Sequence, residues 1–280
     1  MDPTGPESGM QRLRWSGRTD RGRVRSNNED SFLGLQFDAR EVFHLGAIGE
    51  ALTGHMDYAF AVSDGMGGAM AGEYASRIAV QKITSLLPRS YQQSAEGLEI
   101  GFGDVLEELF EQVHRALVFL GTSYEECSGM ETTLSLCWFR PGWMYFGHVG
   151  DSRIYHLSAD GSRIRQLSQD DTYVGWLYRN GKINEREART HPRRNVLQKA
   201  LGGGNQFVTP QVGAVGCESG DMFLLCSDGL VEGLYNEHLE QLLRTSEFRG
   251  PGAGPADRLV EESLVRDGRD NITALVIRVD

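Results

Sequence analysis

Acidic residues next to short apolar runs constrain this chain more than any other feature of its sequence. Asp64, Asp151 and Asp228 each follow such a run within a few residues, at positions 58–62, 144–146 and 222–226. Two further acidic motifs are Asn28-Glu29-Asp30 and Asp270-Asn271, the second of which comes just before the last apolar run of the chain. The pattern predicts buried strands that deliver several carboxylates to their ends.

Carboxylates in such positions are costly unless a positive charge neutralises them. No His or Cys cluster accompanies them, and an all-oxygen donor set favours a hard cation, Mg²⁺ or Mn²⁺. Gly65 would let a metal approach the backbone and would leave its carbonyl free as a ligand. Two divalent ions about 3.5–4 Å apart could activate a water for in-line attack on phosphorus. The alternative is that the motifs are separate turn and cap residues, which is the commoner role of any one Asp-Gly pair.

Composition indicates an ordinary globular protein. The chain has 280 residues, 40% hydrophobic and 24% charged, and we expect a disordered leader at residues 1–10 and a single domain at 11–280. No apolar run approaches the roughly 20 residues that a membrane span needs. The four cysteines are scattered, without a C-x-x-C motif, and Cys137 and Cys226 lie inside apolar runs. Reduced core cysteines of this kind are typical of a cytoplasmic protein.

The net charge of −11 makes nucleic acid an improbable general partner. One segment departs from this average. Residues 163–199 contain nine basic and four acidic side chains, a local charge of +5. Two interpretations stay open for this segment: a solvated helical surface, or an attractor for an anionic substrate.

The first half of the chain predicts strands and then two helices. Residues 15–19 and 31–35 look like a hairpin, and residues 38–55 like a loop or an extra hairpin. A helix is expected from the glycines at 67 and 68 to Pro88, and a second one over 105–120, ending at Gly121. Both carry apolar stripes that face a core.

The second half predicts more antiparallel strands. A half-buried strand at 134–138 leads into a β-meander at 143–149, 153–157 and 163–167. Two short helices follow within 170–190, then a strand at 221–226, helices at 236–244 and 255–267, and a last strand at 272–279. Strands and helices come in blocks, so the fold class is α+β with antiparallel sheets and packed helices.

The ordered set of motifs resembles the metal-dependent serine/threonine protein phosphatases (PPM, type 2C) in their bacterial form. The resemblance extends from about Ser16 to Val279, and it depends on Arg25, Asn28-Glu29-Asp30, Asp64-Gly65-Met66-Gly67-Gly68, Thr132-Thr133, Gly150-Asp151-Ser152-Arg153, Ser227-Asp228-Gly229 and Asp270-Asn271. It implies an antiparallel β-sandwich flanked by pairs of antiparallel helices, a four-layer αββα arrangement. A mobile flap at about 170–204 would lie beside the active site.

The resemblance also implies a site with two ions of Mn²⁺ or Mg²⁺. Asp64 would bridge both ions, and Asp228 and Asp270 would complete one of the two sites. Glu29 and the carbonyl of Gly65 would hold the other ion. Asp30 would act on that ion through water.

Further roles follow from the same resemblance. Arg25 would bind the substrate phosphate, and Asp151 matches a position linked to a third, weaker metal. Met66 stands where eukaryotic relatives often have a His proposed as the general acid, which leaves the identity of that acid open. Ser128 stands where family members often have a carboxylate that can help to bind the third metal. We interpret His148 as a packed strand residue and not as a base.

The resemblance implies an enzyme that hydrolyses phosphoserine and phosphothreonine on proteins and opposes a bacterial Ser/Thr kinase. We expect it to be a monomer in the cytoplasm. Water activated by the metals would attack the phosphoester without a phosphoenzyme. Residues 171–176 are similar to phosphatases that oppose kinases of type VI secretion systems. The rival hypothesis is an inactive binding or regulatory module of the same fold, although none of the five core carboxylates is lost. A third interpretation, a regulator of anti-sigma-factor antagonists, would normally require a sensor domain.

Overall fold

The computed structural model describes residues 10–54, 56–67, 71–95, 101–204, 207–248, 250 and 252–280, and only the backbone of 89–95. The predicted leader, residues 1–10, lies outside this part except for Met10, and Gly68 of the glycine pair also lies outside it.

Two antiparallel sheets form the centre of the molecule. One sheet has six strands in the order β10-β9-β13-β14-β1-β4, with β1 (Arg12–Asp20), β4 (Ile48–Leu52), β9 (Arg153–Leu157), β10 (Arg165–Gln166), β13 (Met222–Cys226) and β14 (Ile272–Val279). The other contains β2 (Asp30–Phe37), β3 (Val42–His44), β5 (Asp57–Met66), β6 (Glu131–Thr132), β7 (Leu134–Arg140), β8 (Trp143–Val149), β11 (Leu201–Gly202) and β12 (Gln211–Gly216). β5 lies near the middle of this sheet, between β2 and β7.

Helices cover both outer faces. α1 (Ala71–Ala95) and α2 (Phe102–Ser123) pack on the eight-stranded sheet, and α5 (Asp228–Gly233), α6 (Asn236–Thr245) and α7 (Pro255–Arg266) pack on the other. α3 (Tyr173–Arg179) and α4 (Glu185–Thr190) belong to the flap. The predicted four layers are confirmed, but the second face carries three helices where a pair was expected. None of the helices in the described ranges combines the length and apolar character of a membrane span.

The core between the sheets is built from large aromatic side chains. Phe60 of β5 and Phe139 of β7 lie edge to face at 5.8 Å, and Phe139 meets Phe223 of the opposite sheet at 5.3 Å. Such pairs add to the stabilisation that comes from burial alone. Cys137 and Cys226 are buried and free, as the sequence predicted.

Two predicted strand pairings are wrong. The strands β1 and β2 do not form a hairpin, because β1 pairs with β14 and β4 while β2 pairs with β3 and β5. The predicted meander also breaks after β8, which pairs with β7 and β12, whereas β9 pairs with β10 and β13. Alternating hydrophobicity identifies strands but does not identify their partners. Residues 150–152 therefore carry the chain from one sheet to the other.

Three smaller predictions also need correction. The first helix does not end at Pro88 but continues to Ala95, because a proline removes one backbone N–H without preventing helical angles beyond it. The strand β7 is not half-buried: helices cover one face and the second sheet covers the other. The helix α2 ends two residues beyond Gly121, and β12 and α5 were not predicted at all.

The inter-sheet core allows a direct stability test. Replacing Phe60 by Ala should lower the free energy of unfolding by about 3–5 kcal/mol, because a fully buried ring is lost from a packed core. Phe119, which is 64% exposed, provides the matched control, and Phe119→Ala should change stability by less than about 0.5 kcal/mol. Urea unfolding of both variants would measure the difference, and equal losses would contradict this description of the core.

Candidate metal centre

The strands bring the acidic motifs to one end of the sandwich. Asp30 at the start of β2 is directly opposite Asp64 at the end of β5. Asp151 follows the end of β8, Asp228 follows β13, and Asp270 comes just before β14. One cavity of about 430 Å³ is lined there by Arg25 and five carboxylate residues: Glu29, Asp64, Asp151, Asp228 and Asp270. The fold thus brings together all the acidic residues that the sequence singled out, with Asp30 buried behind the cavity wall.

Burial and mutual repulsion dominate the electrostatics of this cluster. The pKa values of Asp64 and Asp228 lie well above the ordinary value, first because the carboxyls are desolvated and then because other carboxylates surround them. Desolvation, with Asp170 as the next cause, raises the pKa of Asp151 to about 7. Removing this cost requires protons or a cation.

Asp30 contributes a specific sign of a missing partner. Its Oδ2 accepts hydrogen bonds from Ser227 Oγ at 2.7 Å and from Thr273 Oγ1 at 2.6 Å. Its Oδ1 is buried and has no hydrogen-bond partner among the residues that the structure describes. Burial raises the pKa of Asp30 to about 6, against the effect of the two hydroxyls. A buried carboxylate oxygen without a partner requires a water or an ion beside it, and this fits a position next to a metal-bound water.

Glu29 and the Gly65 carbonyl converge on the first turn of α1. A Cβ atom at Gly72 would lie 2.9 Å from both Glu29 Oε2 and the Gly65 oxygen. A Cβ at Gly65 would collide with the Gly72 carbonyl. The two glycines therefore allow one carboxylate and one carbonyl oxygen to approach a common point, which fits a hard cation.

Arg25 places its charge at the rim of the cavity. Its Nη2 lies 2.6 Å from Asp270 Oδ2, and this hydrogen bond is the main cause that raises the pKa of Arg25. Within the described ranges, no three His, Cys, Asp or Glu side chains are arranged so that they could ligate one ion as they stand. The ion pair helps to explain this, since Asp270 is oriented towards Arg25. The donor types fit a divalent cation, and the side chains would have to rotate towards it.

Hydroxyl groups hold the backbone around Asp64. Thr133 Oγ1 accepts a hydrogen bond from the Asp64 amide at 3.0 Å, and Thr132 Oγ1 donates to the Asp64 carbonyl at 2.8 Å. Thr133 is also 2.6 Å from Ser152 Oγ, beside Asp151. The sequence identified Thr132-Thr133 only as part of a motif, because this supporting role depends on pairing between distant segments.

Asn271 has a similar role, and the sequence identified it only as part of the Asp270-Asn271 motif. Its Oδ1 accepts from the Glu29 amide at 2.8 Å, while its Nδ2 donates to the carbonyls of Arg21 and Asn27. One side chain thus fixes the loop that carries Arg25 and Glu29 against the strand that follows Asp270. Its position next to Asp270 in the sequence was the only signal available.

His148 lies outside the cavity and is buried in β8. Its ring nitrogens contact Ser135 Oγ at 2.8 Å and the Gly150 carbonyl at 3.0 Å. Burial lowers its pKa despite the nearby Asp171, so the neutral ring is favoured. The placement agrees with a packed strand residue.

Residues 170–204, the segment predicted to be a flap and called the flap below, lie beside the cluster. An isolated bridge between Thr172 and Leu197 closes its base, and Asn195 and Leu197 reach the cavity wall. Arg189 attaches α4 to the domain through hydrogen bonds to the carbonyls of Val231 and Leu234 and through the ring of Tyr235. The sequence predicts a flap over this segment but gives no sign that Asn195 would line the site.

The raised pKa values predict a pH dependence for the metal-stripped protein. A carboxyl whose pKa is higher in the folded state stabilises the fold fully below its ordinary pKa of about 4, and this contribution is lost as the pH rises through the folded value. For Asp151 that value is about 7. The free energy of unfolding in EDTA should therefore fall by roughly 2–4 kcal/mol between pH 5 and pH 8.

The variant Asp151→Asn is the control for this effect. Its stability should vary less over the same pH interval, because one of the titrating groups is gone. Urea unfolding at several pH values would measure both curves. A stability that is constant or rises from pH 5 to pH 8 would contradict the electrostatic description of the cluster.

Comparison with known sequences places this geometry in a family. The family profile described as Protein phosphatase 2C matches residues 47–262. The chain is 34% identical over 271 residues to the serine/threonine protein phosphatase PstP of Mycobacterium tuberculosis, covering 95% of this chain and 45% of that protein. It thus spans about half the length of that relative. A serine/threonine phosphatase of Listeria innocua is 31% identical, with 93% of each chain covered.

Solved structures show the same fold. The catalytic domain of PstP in complex with two manganese ions superposes with a TM-score of 0.75 at 30% identity, covering 96% of this chain and 99% of that one. PppA, described as a key regulatory component of the type VI secretion system in Pseudomonas aeruginosa, gives a TM-score of 0.68 at 28% identity, with 96% and 98% covered. From the profile match, the relatives and the shared fold, we conclude that the chain belongs to the protein phosphatase 2C family.

Proposed function

We propose that this chain is a metal-dependent protein serine/threonine phosphatase. The observation that carries the proposal is a cavity at the end of the sandwich that is lined by five carboxylate residues and one arginine. Anionic ligands collect divalent cations, and a guanidinium at the rim suits a phosphate. The relatives named as serine/threonine phosphatases support the same activity.

The metal ligands proposed are those that line or support this cavity. Asp64 would bridge two ions, with Asp228 and Asp270 on one of them and Glu29 and the Gly65 carbonyl on the other. Asp30 would hold a water at its unpartnered Oδ1, and Asp151 would serve a third, weaker ion. When bound, Mn²⁺ or Mg²⁺ supplies an activated water and neutralises charge on the phosphate.

The protein itself would bind and orient the substrate. Arg25 can donate two parallel hydrogen bonds to phosphate oxygens, once its guanidinium exchanges the carboxylate of Asp270 for the substrate. Hydrolysis forms one bond from water oxygen to phosphorus and breaks the bond to the serine or threonine oxygen, which takes up a proton. The hydroxyls of Thr132 and Thr133 would keep Asp64 in place during these steps.

The first experiment is phosphate release from a phosphothreonine peptide. After EDTA treatment the protein should release no phosphate, and titration with Mn²⁺ should restore turnover, because the carboxylate cluster requires cations to bind an anionic substrate. Folding would be checked by circular dichroism at each step. Folded protein that releases no phosphate at any Mn²⁺ or Mg²⁺ concentration would support the rival function, an inactive binding or regulatory module.

The variant Asp64→Asn separates the metal role from a structural one. It should reduce turnover at least about a hundredfold, because a bridging ligand is lost. Without metal it should be more stable than the unchanged protein by about 1 kcal/mol or more at neutral pH, because a buried carboxyl with a raised pKa is gone. Near-normal turnover would contradict the bridging role, and lower stability would contradict the repulsion on which the site description is based.

A finer proposal concerns the pathway. We propose that the protein acts in the cytoplasm as a monomer and opposes a Ser/Thr kinase of a type VI secretion system. The similarity of residues 171–176 to phosphatases of that kind and the likeness to PppA support this assignment. Deleting the gene should raise phosphorylation of a forkhead-associated secretion protein, measured by phosphoproteomics. Unchanged phosphorylation there would eliminate the pathway but not the activity.

A further inference from the structure

A second cavity adjoins the metal centre on the flap side. Its volume is about 620 Å³, and it lies between the flap, the start of β9 and α5. Asp151, Asn195 and Asp228 line both cavities. A substrate segment that reaches the metal centre can therefore continue into this second space, which we call the flap cavity.

Most charges in the wall of the flap cavity already have partners. Three arginines each form an ion pair with a carboxylate of the same wall: Arg153 with Asp170 at 2.7 Å, Arg189 with Glu185 at 3.2 Å, and Arg194 with Glu232 at 3.3 Å. A paired guanidinium offers little net attraction to another anion. These arginines therefore define the shape of the cavity more than its charge preference.

Arg179, at the end of α3, differs from them. Its Nη1 donates to the backbone carbonyl of Asp170 at 2.8 Å, and no carboxylate pairs with it among the residues that the structure describes. A guanidinium has five N–H donors, and one hydrogen bond leaves most of them available. Arg269 adds a second positive charge to the wall; it is paired with Asp267 at 2.7 Å but is 68% exposed. The wall of the cavity thus carries one exposed guanidinium, that of Arg179, for which the described residues supply no counter-ion.

We propose that the flap cavity selects substrates with an anionic side chain close to the phosphorylated residue, and that Arg179 is the residue that determines this specificity. The inference depends on the proposed phosphatase function and names the substrate class of the same site. The anionic group is either a carboxylate or a second phosphate. Because the cavities share a wall and an extended chain advances about 3.3–3.6 Å per residue, the group lies within a few residues of the phosphoresidue.

The positive charge of this region gives the proposal its electrostatic basis. The segment 163–199 carries a local charge of +5 in a chain whose net charge is −11. Several of its basic residues are paired, among them Arg189, Arg194 and Lys199. Arg179 has no carboxylate partner in the part of the chain that the structure describes, and it lines a cavity whose other wall would be neutralised by cations. An acidic substrate segment would be attracted there and repelled elsewhere on the surface.

The test uses phosphothreonine peptides that differ only at flanking positions. One set has neutral flanks, and the others carry glutamate, a second phosphate or lysine there. The full chain with Mn²⁺ should hydrolyse the glutamate or the doubly phosphorylated peptide with a kcat/KM roughly fivefold above that of the neutral one. Whichever of the two is preferred identifies the source of the anion.

Two substitutions at Arg179 sharpen the result. Arg179→Gln should reduce the preference for anionic flanks to about one, and Arg179→Glu should shift it towards the lysine peptide. Arg186, an exposed arginine of α4 outside the cavity wall, is the matched control, and Arg186→Gln should retain the preference.

The outcomes separate this inference from the proposed function. If the unchanged protein hydrolyses no peptide, the phosphatase proposal itself fails. If it hydrolyses neutral and anionic peptides equally, the selection of anionic flanks is overturned while the phosphatase proposal stands. If Arg186→Gln removes the preference as fully as Arg179→Gln, the role of Arg179 is overturned. A preference that follows the charge at position 179 but not at 186 supports it.

Discussion

Repulsion among carboxylates at one end of the sandwich is the constraint around which the rest of this structure is arranged. Asp64 and Asp228 are each surrounded by other carboxylates as well as desolvated, so their pKa values are raised well above normal. A fold that only had to be stable would not concentrate these groups. Interactions elsewhere in the fold must therefore offset the cost of this repulsion. The main ones are the aromatic contacts in the layer between the sheets.

The remaining features near the site reduce the freedom of these carboxylates. Hydroxyls from Thr132 and Thr133 fix the backbone of Asp64, and the side chain of Asn271 fixes the loop of Glu29. Gly65 and Gly72 allow two chain segments to approach more closely than any side chain would permit. Rigid support of this kind limits how far the carboxylates can move apart in response to their repulsion, and it positions them for a shared cation.

Much of this arrangement could be predicted from the sequence, and the reason is local. Asp64, Asp151 and Asp228 follow apolar runs, and the residues within a few positions of a strand's end determine where the strand ends. Strands β8, β9 and β14 were predicted with their observed bounds. Partners were not predictable in the same way. The false hairpin between β1 and β2 and the missed crossing at 150–152 both concern which sheet a strand joins, which depends on contacts between distant segments.

The same limit explains which site residues were found. Carboxylates attracted notice because a buried charge is unusual at any single position, whereas Asn195 and Arg179 are ordinary polar residues until the fold places them.

The basic segment at 163–199 left two interpretations open, and the structure divides it between them. Arg189 and Arg194 attach the flap to α5 and its surroundings, so their charge is used within the protein. Among the described residues Arg179 has no such carboxylate, and its exposed guanidinium lines a cavity that adjoins the carboxylate cluster. The cluster would be neutralised by cations, which the protein must acquire from solution, and the guanidinium would be neutralised by an anion, which a substrate can bring. Under the two proposals, the cations and the substrate would together complete the charge balance of this face of the molecule.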